Sequence, residues 1–164
     1  MKRKIFCAAI LLSFSVIACD NQKKSNSEQL PVDLSVKKTT NSMNSFVSIF
    51  EIPATEISRA VGFYQEILAI NIDQMDVQGM QMGIFPYEGQ MITGVIIKGD
   101  GYRPSADGVT IYLNGGDNLQ IILDKVEKNG GKIVVPKTLH ADESGYFAMF
   151  LDTEGNKIGL HSPN

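Results

Sequence analysis

Apolar and polar positions divide the chain into three stretches. Residues 5–18 are almost continuously apolar, residues 20–44 are mostly polar, and after residue 45 short apolar runs alternate with turn-forming residues. Alternation with a period of two indicates strands, and apolar residues three and four apart indicate helices. The third stretch therefore predicts a folded domain of strands and helices, preceded by two stretches with other roles.

The folded stretch has the same order of elements twice, which is strand, helix and then three strands. The first set is predicted at 46–52, 56–68, 70–76, 80–85 and 91–98, and the second at 109–113, 118–129, 132–136, 146–151 and 157–161. Residues 99–108 connect the two halves, and residues 152–156 form a tight hairpin turn. Val47-Ser48-Ile49-Phe50 matches Val109-Thr110-Ile111-Tyr112, so the order and the sequence both indicate an internal duplication.

Three segments resemble a known family. Residues 50–64 contain FEIP followed by RAVGFY, residues 126–132 read VEKNGGK, and residues 150–160 read FLDTEGNKIGL. Together they resemble the vicinal-oxygen-chelate (VOC) superfamily, which holds glyoxalase I, bleomycin-resistance proteins and extradiol dioxygenases. The resemblance covers residues 46–161. It implies an α+β fold in which two βαβββ modules form a cup-shaped mixed sheet around a small ligand, often in a homodimer.

Metal-dependent members of this superfamily bind a divalent ion with one His, Gln or Glu from each of four strands. The resemblance places three of these positions on Ile49, Thr110 and Gly159, and the fourth within 94–97. Aliphatic side chains and glycine cannot coordinate a metal. We therefore predict no metal and no other cofactor, and the less favoured alternative is a divalent ion such as Zn, Ni, Fe or Mn.

Side chains two positions apart on a strand point to the same face. On that basis Glu51, Tyr112 and His161 face the cup, and Lys98 is the fourth such residue if Ile96 marks the lost ligand position. A carboxylate beside a histidine can act as a general base with its partner, and Glu51 with Lys98 can orient a ligand. In the alternative interpretation Glu51 and Lys98 neutralise each other and fix the strand register, while His161 frays with the C-terminus.

Two further groups allow more than one interpretation. His140, with Asp142 and Glu143, is either a relocated metal site or a solvated acidic loop. Methionines on or beside the second to fourth strands suit an adaptable apolar pocket, but they fill cores more often. They are Met75, Met80, Met82 and Met91.

Residues 1–18 have the pattern of a bacterial export signal, with a basic start, an apolar run of about 14 residues and small residues at the end. A spanning helix needs roughly 20 residues. Val16-Ile17-Ala18-Cys19 resembles the lipobox of bacterial lipoproteins, which implies cleavage before Cys19 and a lipid on its sulfur. The alternative is an ordinary secreted protein with a chance cysteine. In the lipoprotein interpretation, residues 19–44 are the lipidated cysteine and a polar tether, and residues 45–164 are the VOC domain.

Charge and cysteine content exclude several classes. The chain has 15 basic and 18 acidic residues, and losing Lys2, Arg3 and Lys4 with the signal leaves 12 basic against 18 acidic. A nucleic-acid surface needs a basic stripe, so no such partner is expected. Cys7 would leave with the signal and Cys19 would carry lipid, so the domain has no thiol for a disulfide, a metal or a nucleophile.

The sequence favours an envelope-anchored, metal-independent member of the superfamily, on the periplasmic or the surface side of a bacterial membrane. Its expected partners are a small organic ligand, the membrane through its lipid and a second copy of the chain. It would sequester a partly apolar compound, as bleomycin-resistance proteins do, or be a weakly catalytic homologue that uses Glu51 and His161. The alternatives are a metal-dependent glyoxalase-like lyase, isomerase or dioxygenase, and an envelope interaction module without a small ligand.

Overall fold

The computed structural model describes residues 45–164, which form two βαβββ units. The first unit consists of β1 (Ile49–Pro53), α1 (Ile57–Leu68), β2 (Asp73–Val77), β3 (Met80–Ile84) and β4 (Thr93–Lys98). The second consists of β5 (Tyr112–Asn114), α2 (Gln120–Val126), a 3₁₀ turn (Glu127–Asn129), β6 (Lys132–Leu139), β7 (Tyr146–Leu151) and β8 (Lys157–Ser162). The predicted α+β fold with repeated order is confirmed. The predicted signal, Cys19 and the tether lie outside the described residues.

Each unit forms a four-stranded mixed sheet with the same topology. The strand orders are β1-β4-β3-β2 and β5-β8-β7-β6. Strand β1 runs parallel to β4 and β5 runs parallel to β8, while the other neighbouring strands are antiparallel. Several predicted strand bounds differ from the observed ones, and β1, β2 and β4 begin at Ile49, Asp73 and Thr93 rather than at 46, 70 and 91. Strand β5 begins at Tyr112 rather than at 109, where Val109 is exposed. Strand β6 continues past Pro136, which is tolerated because β6 is an edge strand with an irregular register.

Helix α1 packs against the first sheet and beside α2, and its side chains join both sheets in one core. Its ring pair makes this clear, because Phe63 is 5.9 Å from Phe150 of β7 and Tyr64 is 5.8 Å from Phe85 at the end of β3. Ile52 and Leu160, from opposite sheets, belong to the same buried cluster. The helix-facing side of each sheet is therefore buried. We call the opposite side of each sheet its outer face.

Equivalent hydrogen bonds give the register of the duplication. The N–H of Ala54 donates to the carbonyl of Ile97 (2.8 Å), and the N–H of Gly115 donates to that of His161 (2.7 Å). Position 54 thus corresponds to 115, and Glu51 corresponds to Tyr112. The sequence match of 47–50 with 109–112 is wrong by one residue. Both segments are largely apolar and β-branched, so a shifted match looks equally good although it exchanges the two faces of the strand.

The turn between β7 and β8 joins the second unit to the start of α1. The Tyr64 hydroxyl donates to Asp152 (2.7 Å), and the side-chain amide of Asn156 donates to the carbonyl of Pro53 (2.8 Å). Both Glu154 oxygens accept from Arg59, at 2.7 and 3.0 Å, and one also accepts from the N–H of Thr55 at 2.8 Å. We call this junction, between residues 152–156 and 53–64, the closed seam. The sequence predicted the turn but not its partners.

Candidate functional site

Strands β1 and β4 place Glu51 on an apolar part of the first outer face. Glu51 lies opposite Val95 in the parallel pair, and Pro53 lies opposite Ile97. On the next strand Met82 pairs with Ile97. Since paired residues share a face of the sheet, the exposed Glu51 carboxylate is bordered by aliphatic and thioether side chains. Its position on this face agrees with the spacing argument.

Tyr102, from the connection between the units, lies beside Glu51. Loss of hydration raises the pKa of Tyr102, and the charge of Glu51 and a hydrogen bond to it raise that pKa further. The N–H of Tyr102 donates to the carbonyl of Gly99 (3.2 Å), which turns the chain back toward the end of β4. Tyr102 was not among the predicted site residues, because residues 99–108 have no periodic pattern that would give its direction.

Strands β5 and β8 place Tyr112 and His161 on the second outer face. Tyr112 is paired with Gly159, and Asn114 with His161. A Cβ on Gly159 would collide with the Tyr112 ring, so glycine allows this ring to lie against the strand. Tyr112 and His161 therefore share one face of the sheet, as their spacing predicted. Both the phenol of Tyr112 and the imidazole of His161 are exposed there.

His140 joins His161 on this surface. The two imidazole rings have centroids 5.4 Å apart, and His140 also lies 4.8 Å from the ring of Phe147. Asp142 has a different role, because its carboxylate accepts from the N–H of Ser144 (3.1 Å) and hydrogen bonding from Ser144 lowers its pKa. The loop thus brings one histidine, and not a set of acids, to the second outer face.

Lys98 does not share a face with Glu51. Ile96 is fully buried in the core on the helix side, so it does not mark the lost ligand position, and Lys98 has the same parity along β4. In the duplicated fold Val95 holds the position of Gly159, and Ile97 holds the position of His161. It is therefore Ile97, and not Lys98, that lies on the outer face. No ion pair joins Glu51 and Lys98 in the part of the chain that the structure describes. Lys98 instead lines a polar hollow with Asp76 and Asp100.

The residues at the superfamily's metal positions do not fit a divalent ion. Ile49 supplies an alkyl group, Thr110 supplies a hydroxyl, and Gly159 has no side chain. The observed pairing makes Val95 the fourth position. Within residues 45–164, no three His, Cys, Asp or Glu side chains are placed to share a metal.

The methionines of β2 and β3 lie on the outer face and not in the core. Met75 pairs with Met82, and Val77 pairs with Met80 across the hairpin. Met75, Val77 and Met80 are 48%, 40% and 37% exposed. Large apolar side chains exposed side by side mark interaction surfaces in soluble proteins. The first outer face therefore combines an adaptable apolar surface with the carboxylate of Glu51.

A cavity of about 160 Å³ between the units is lined by Glu51, Arg103, Asn156 and Lys157, among others. Drug-sized ligands usually occupy about 300–1,000 Å³. This cavity alone is too small for such a ligand, so binding at Glu51 would have to use the exposed outer face as well.

Comparison with known proteins decides the family. A sequence model of the Glyoxalase/Bleomycin resistance protein/Dioxygenase superfamily matches residues 45–160. The chain belongs to this superfamily. A glyoxylase-like domain-containing protein from Didymella fabae is 32% identical over 120 residues, which cover 67% of this chain and 88% of the relative.

Solved structures support the same superfamily fold. One is TnmS3, an antibiotic binding protein from Streptomyces sp. CB03234, with 21% identity and a TM-score of 0.57 over 73% of this chain and 97% of TnmS3. Another is a glyoxalase/bleomycin resistance protein from the same organism, with 24% identity and a TM-score of 0.55 over 71% of this chain and 99% of that one.

Proposed function

We propose that this superfamily member is a metal-independent binding protein for a small, partly apolar organic compound. The observation that carries the proposal is the composition of the outer faces. Glu51, Tyr112 and His161 project among apolar residues, and the superfamily's metal positions hold Ile49, Val95, Thr110 and Gly159. Such a surface offers apolar contact together with a few polar groups for orientation, which is the usual make-up of a ligand site.

The polar groups suit a ligand with hydrogen-bonding groups at its periphery. Glu51 accepts hydrogen bonds, while the Tyr112 hydroxyl both donates and accepts. His161 is a donor or an acceptor according to its tautomer. TnmS3 is described as an antibiotic binding protein, and a compound of that kind, with an apolar body and polar substituents, is the ligand class we propose here.

A second copy of the chain is part of this proposal. Each outer face lies on the side of its sheet away from the shared core, so neither face is covered by the core of its own chain. A partner that lays its own outer face over Glu51 would bury the exposed methionines and enclose the ligand. The proposed binding unit is therefore a homodimer.

We also propose that Cys19 carries a lipid and holds the domain at a bacterial membrane. The supporting pattern is Val16-Ile17-Ala18-Cys19 after an apolar run. Neither helix within residues 45–164 has the length and apolar composition required to cross a bilayer. Each CH₂ group of an acyl chain contributes about 0.8 kcal/mol to the free energy of membrane binding. Two or more acyl chains therefore anchor a protein stably.

Anchoring is tested by labelling cells with an alkyne fatty acid and isolating the chain. Label should appear on the wild type and on Cys7→Ser, and it should be lost from Cys19→Ser. Cys7 is the matched control because it is the other cysteine of the 164-residue sequence. Equal labelling of Cys19→Ser would exclude the proposed anchor.

The binding function is tested first by elemental analysis of the chain purified from metal-supplemented medium. We expect less than 0.1 equivalent of any transition metal, and one equivalent would overturn the proposal in favour of a metal-dependent enzyme. A library of aromatic compounds is then screened by ligand-observed NMR. The affinity of each compound that binds should fall at least fivefold in the Glu51→Gln or the His161→Ala variant. Glu66→Gln, on the exposed side of α1, is the control and should leave binding unchanged.

A further inference from the structure

The duplication should give the molecule two equivalent seams, but only one is closed. Phe85 is hydrogen-bonded to Gly94 at the end of β3, and Phe150 pairs with Ile158 at the end of β7. These pairs are equivalent in the two units, so residues 87–92 of the β3–β4 loop correspond to the β7–β8 turn (152–156). We call the junction between residues 85–92 and residues 113–122 the open seam.

A cavity of about 510 Å³ occupies the open seam. Its walls include Phe50, Phe85, Leu68 and Ile122, which all belong to the shared core or pack against it. The rings of Phe50 and Phe85 meet edge to face at a centroid distance of 5.7 Å. This volume lies within the range of sites for drug-sized ligands.

The cavity is lined by none of the three outer-face residues Glu51, Tyr112 and His161. Phe50 packs against the core and lies over the helix-facing side of Gly94, where a Cβ would collide with its ring. Glu51, the next residue, points to the opposite side of the sheet. A molecule in the open seam would therefore contact none of Glu51, Tyr112 and His161.

The polar rim of the cavity restricts the charge of a ligand. Asp117 is the one ionisable side chain among the lining residues. The side-chain oxygen of Asn118 accepts from the N–H of Gln120 (3.1 Å) and from the Lys137 ammonium (2.8 Å), which uses both of its lone pairs. The side-chain oxygen of Asn114 accepts from the N–H of Gly116 (2.9 Å) and keeps one lone pair. The rim thus offers amide N–H donors to a ligand, and its one ionisable lining residue, Asp117, repels an anion.

We propose that the open seam is a second ligand site, which binds an uncharged, ring-containing apolar molecule with a carbonyl or similar acceptor. The aromatic walls contact the rings, and the asparagine amides at the rim donate to the acceptor. The site is independent of the proposed function of the outer faces.

The test uses the full chain with isoleucine δ-methyl groups labelled for NMR. The probe is 7-(diethylamino)-4-methylcoumarin, which is uncharged and has a lactone carbonyl. We expect its addition to shift the methyl signals of Ile70, Ile92 and Ile121, which line the seam, and not those of the outer-face residues Ile49, Ile84 and Ile97. Shifts confined to the outer face, or no shifts, would overturn the proposal.

Two comparisons make the test specific. 7-(Diethylamino)coumarin-3-carboxylate should bind at least tenfold more weakly, because Asp117 repels its charge and the Lys137 ammonium at the rim is already bonded to Asn118. Ile121→Glu should weaken binding of the neutral probe at least tenfold, and Val134→Glu, on β6, should leave it unchanged. Ile121 is 63% exposed, so its replacement does not disturb the core.

The same spectra test other occupants of the seam. If the seam methyl signals shift with protein concentration before any probe is added, the seam is an interface between two copies and the proposal fails. If Leu30→Ser and Leu34→Ser, in the chain before the domain, shift the seam signals and raise probe affinity, the chain's own N-terminal segment is the occupant and the proposal also fails. The outer-face methyl signals report separately on the proposed function.

Discussion

The closed and open seams join the same two units at equivalent places, yet they differ in chemistry. In the closed seam a turn of five residues places Asp152, Glu154 and Asn156 against the start of α1. In the open seam the equivalent segment, residues 87–92, leaves an apolar cavity beside α2. The difference shows that one junction of a duplicated fold can hold the units together while the other remains accessible to a ligand.

The largest effect is expected from Asp152→Ala. The Asp152 carboxylate accepts from Tyr64, from Asn156 and from the N–H of Glu154, and the residue is buried. Removal leaves buried donors without partners, at a cost on the order of 3 kcal/mol in the free energy of unfolding. Urea denaturation of the full chain measures this loss.

Tyr87→Ala is the matched control for Asp152→Ala. Tyr87 holds the equivalent position in the open seam and is 64% exposed. Its substitution should change the free energy of unfolding by less than about 0.5 kcal/mol. Equal losses for the two variants would show that both seams contribute alike to stability.

A smaller effect is expected from the charge of Glu154. Hydrogen bonds from Arg59 and from Thr55 overcome the cost of burial and lower the pKa of Glu154 to about 2, from a usual value of 4.5. Because the pKa is lower in the folded state, the stabilisation is complete above about pH 4.5 and is lost as the pH falls toward 2. Arg59 is half exposed, so we expect only about 1 to 2 kcal/mol.

Glu154→Gln checks this pH dependence. The difference in unfolding free energy between wild type and Glu154→Gln should be about 1 to 2 kcal/mol at pH 7 and should shrink between pH 4.5 and pH 2. Glu66→Gln should show no comparable difference at any pH. A Glu154→Gln difference that stayed constant down to pH 2 would mean that the Glu154 charge does not stabilise the closed seam.

The smallest effect on stability is expected in the open seam. Ile92 lines the cavity and is partly exposed, so Ile92→Ser should change the free energy of unfolding by less than about 1 kcal/mol. The same substitution should weaken binding of the neutral coumarin three- to tenfold, because an apolar wall is removed. Fluorescence titration measures the affinity. Loss of stability without loss of affinity would make Ile92 a structural residue only.

The sequence predicted the fold well because local signals agreed with each other. Helical spacing, the glycine turn at 130–131 and the repeated order of strands all indicated two βαβββ units. The placement of Glu51 and Tyr112 was also predictable, since side chains alternate along a strand.

The face of β4 was not predictable, because Val95, Ile96 and Ile97 are all aliphatic and do not alternate. Only the pairing with β1 shows that Val95 and Ile97 lie on the outer face, and Lys98 was placed wrongly for this reason. The contacts of Glu154 with Arg59 span 95 residues, and Tyr102 approaches Glu51 through an irregular connection. No local pattern carries such long-range contacts.

The hairpin between β2 and β3 has a consequence for how the protein moves. Gln78 and Gly79 both have positive φ, at 54° and 84°, and every residue of β2 is exposed. Strand β2 is also the edge of its sheet, with one hydrogen-bonded neighbour. Segments with few buried contacts open first and exchange their amide hydrogens fastest. Part of the methionine-bearing surface therefore lies on an edge strand in which every residue is exposed. A molecule bound to that surface would slow the exchange of the β2 amide hydrogens.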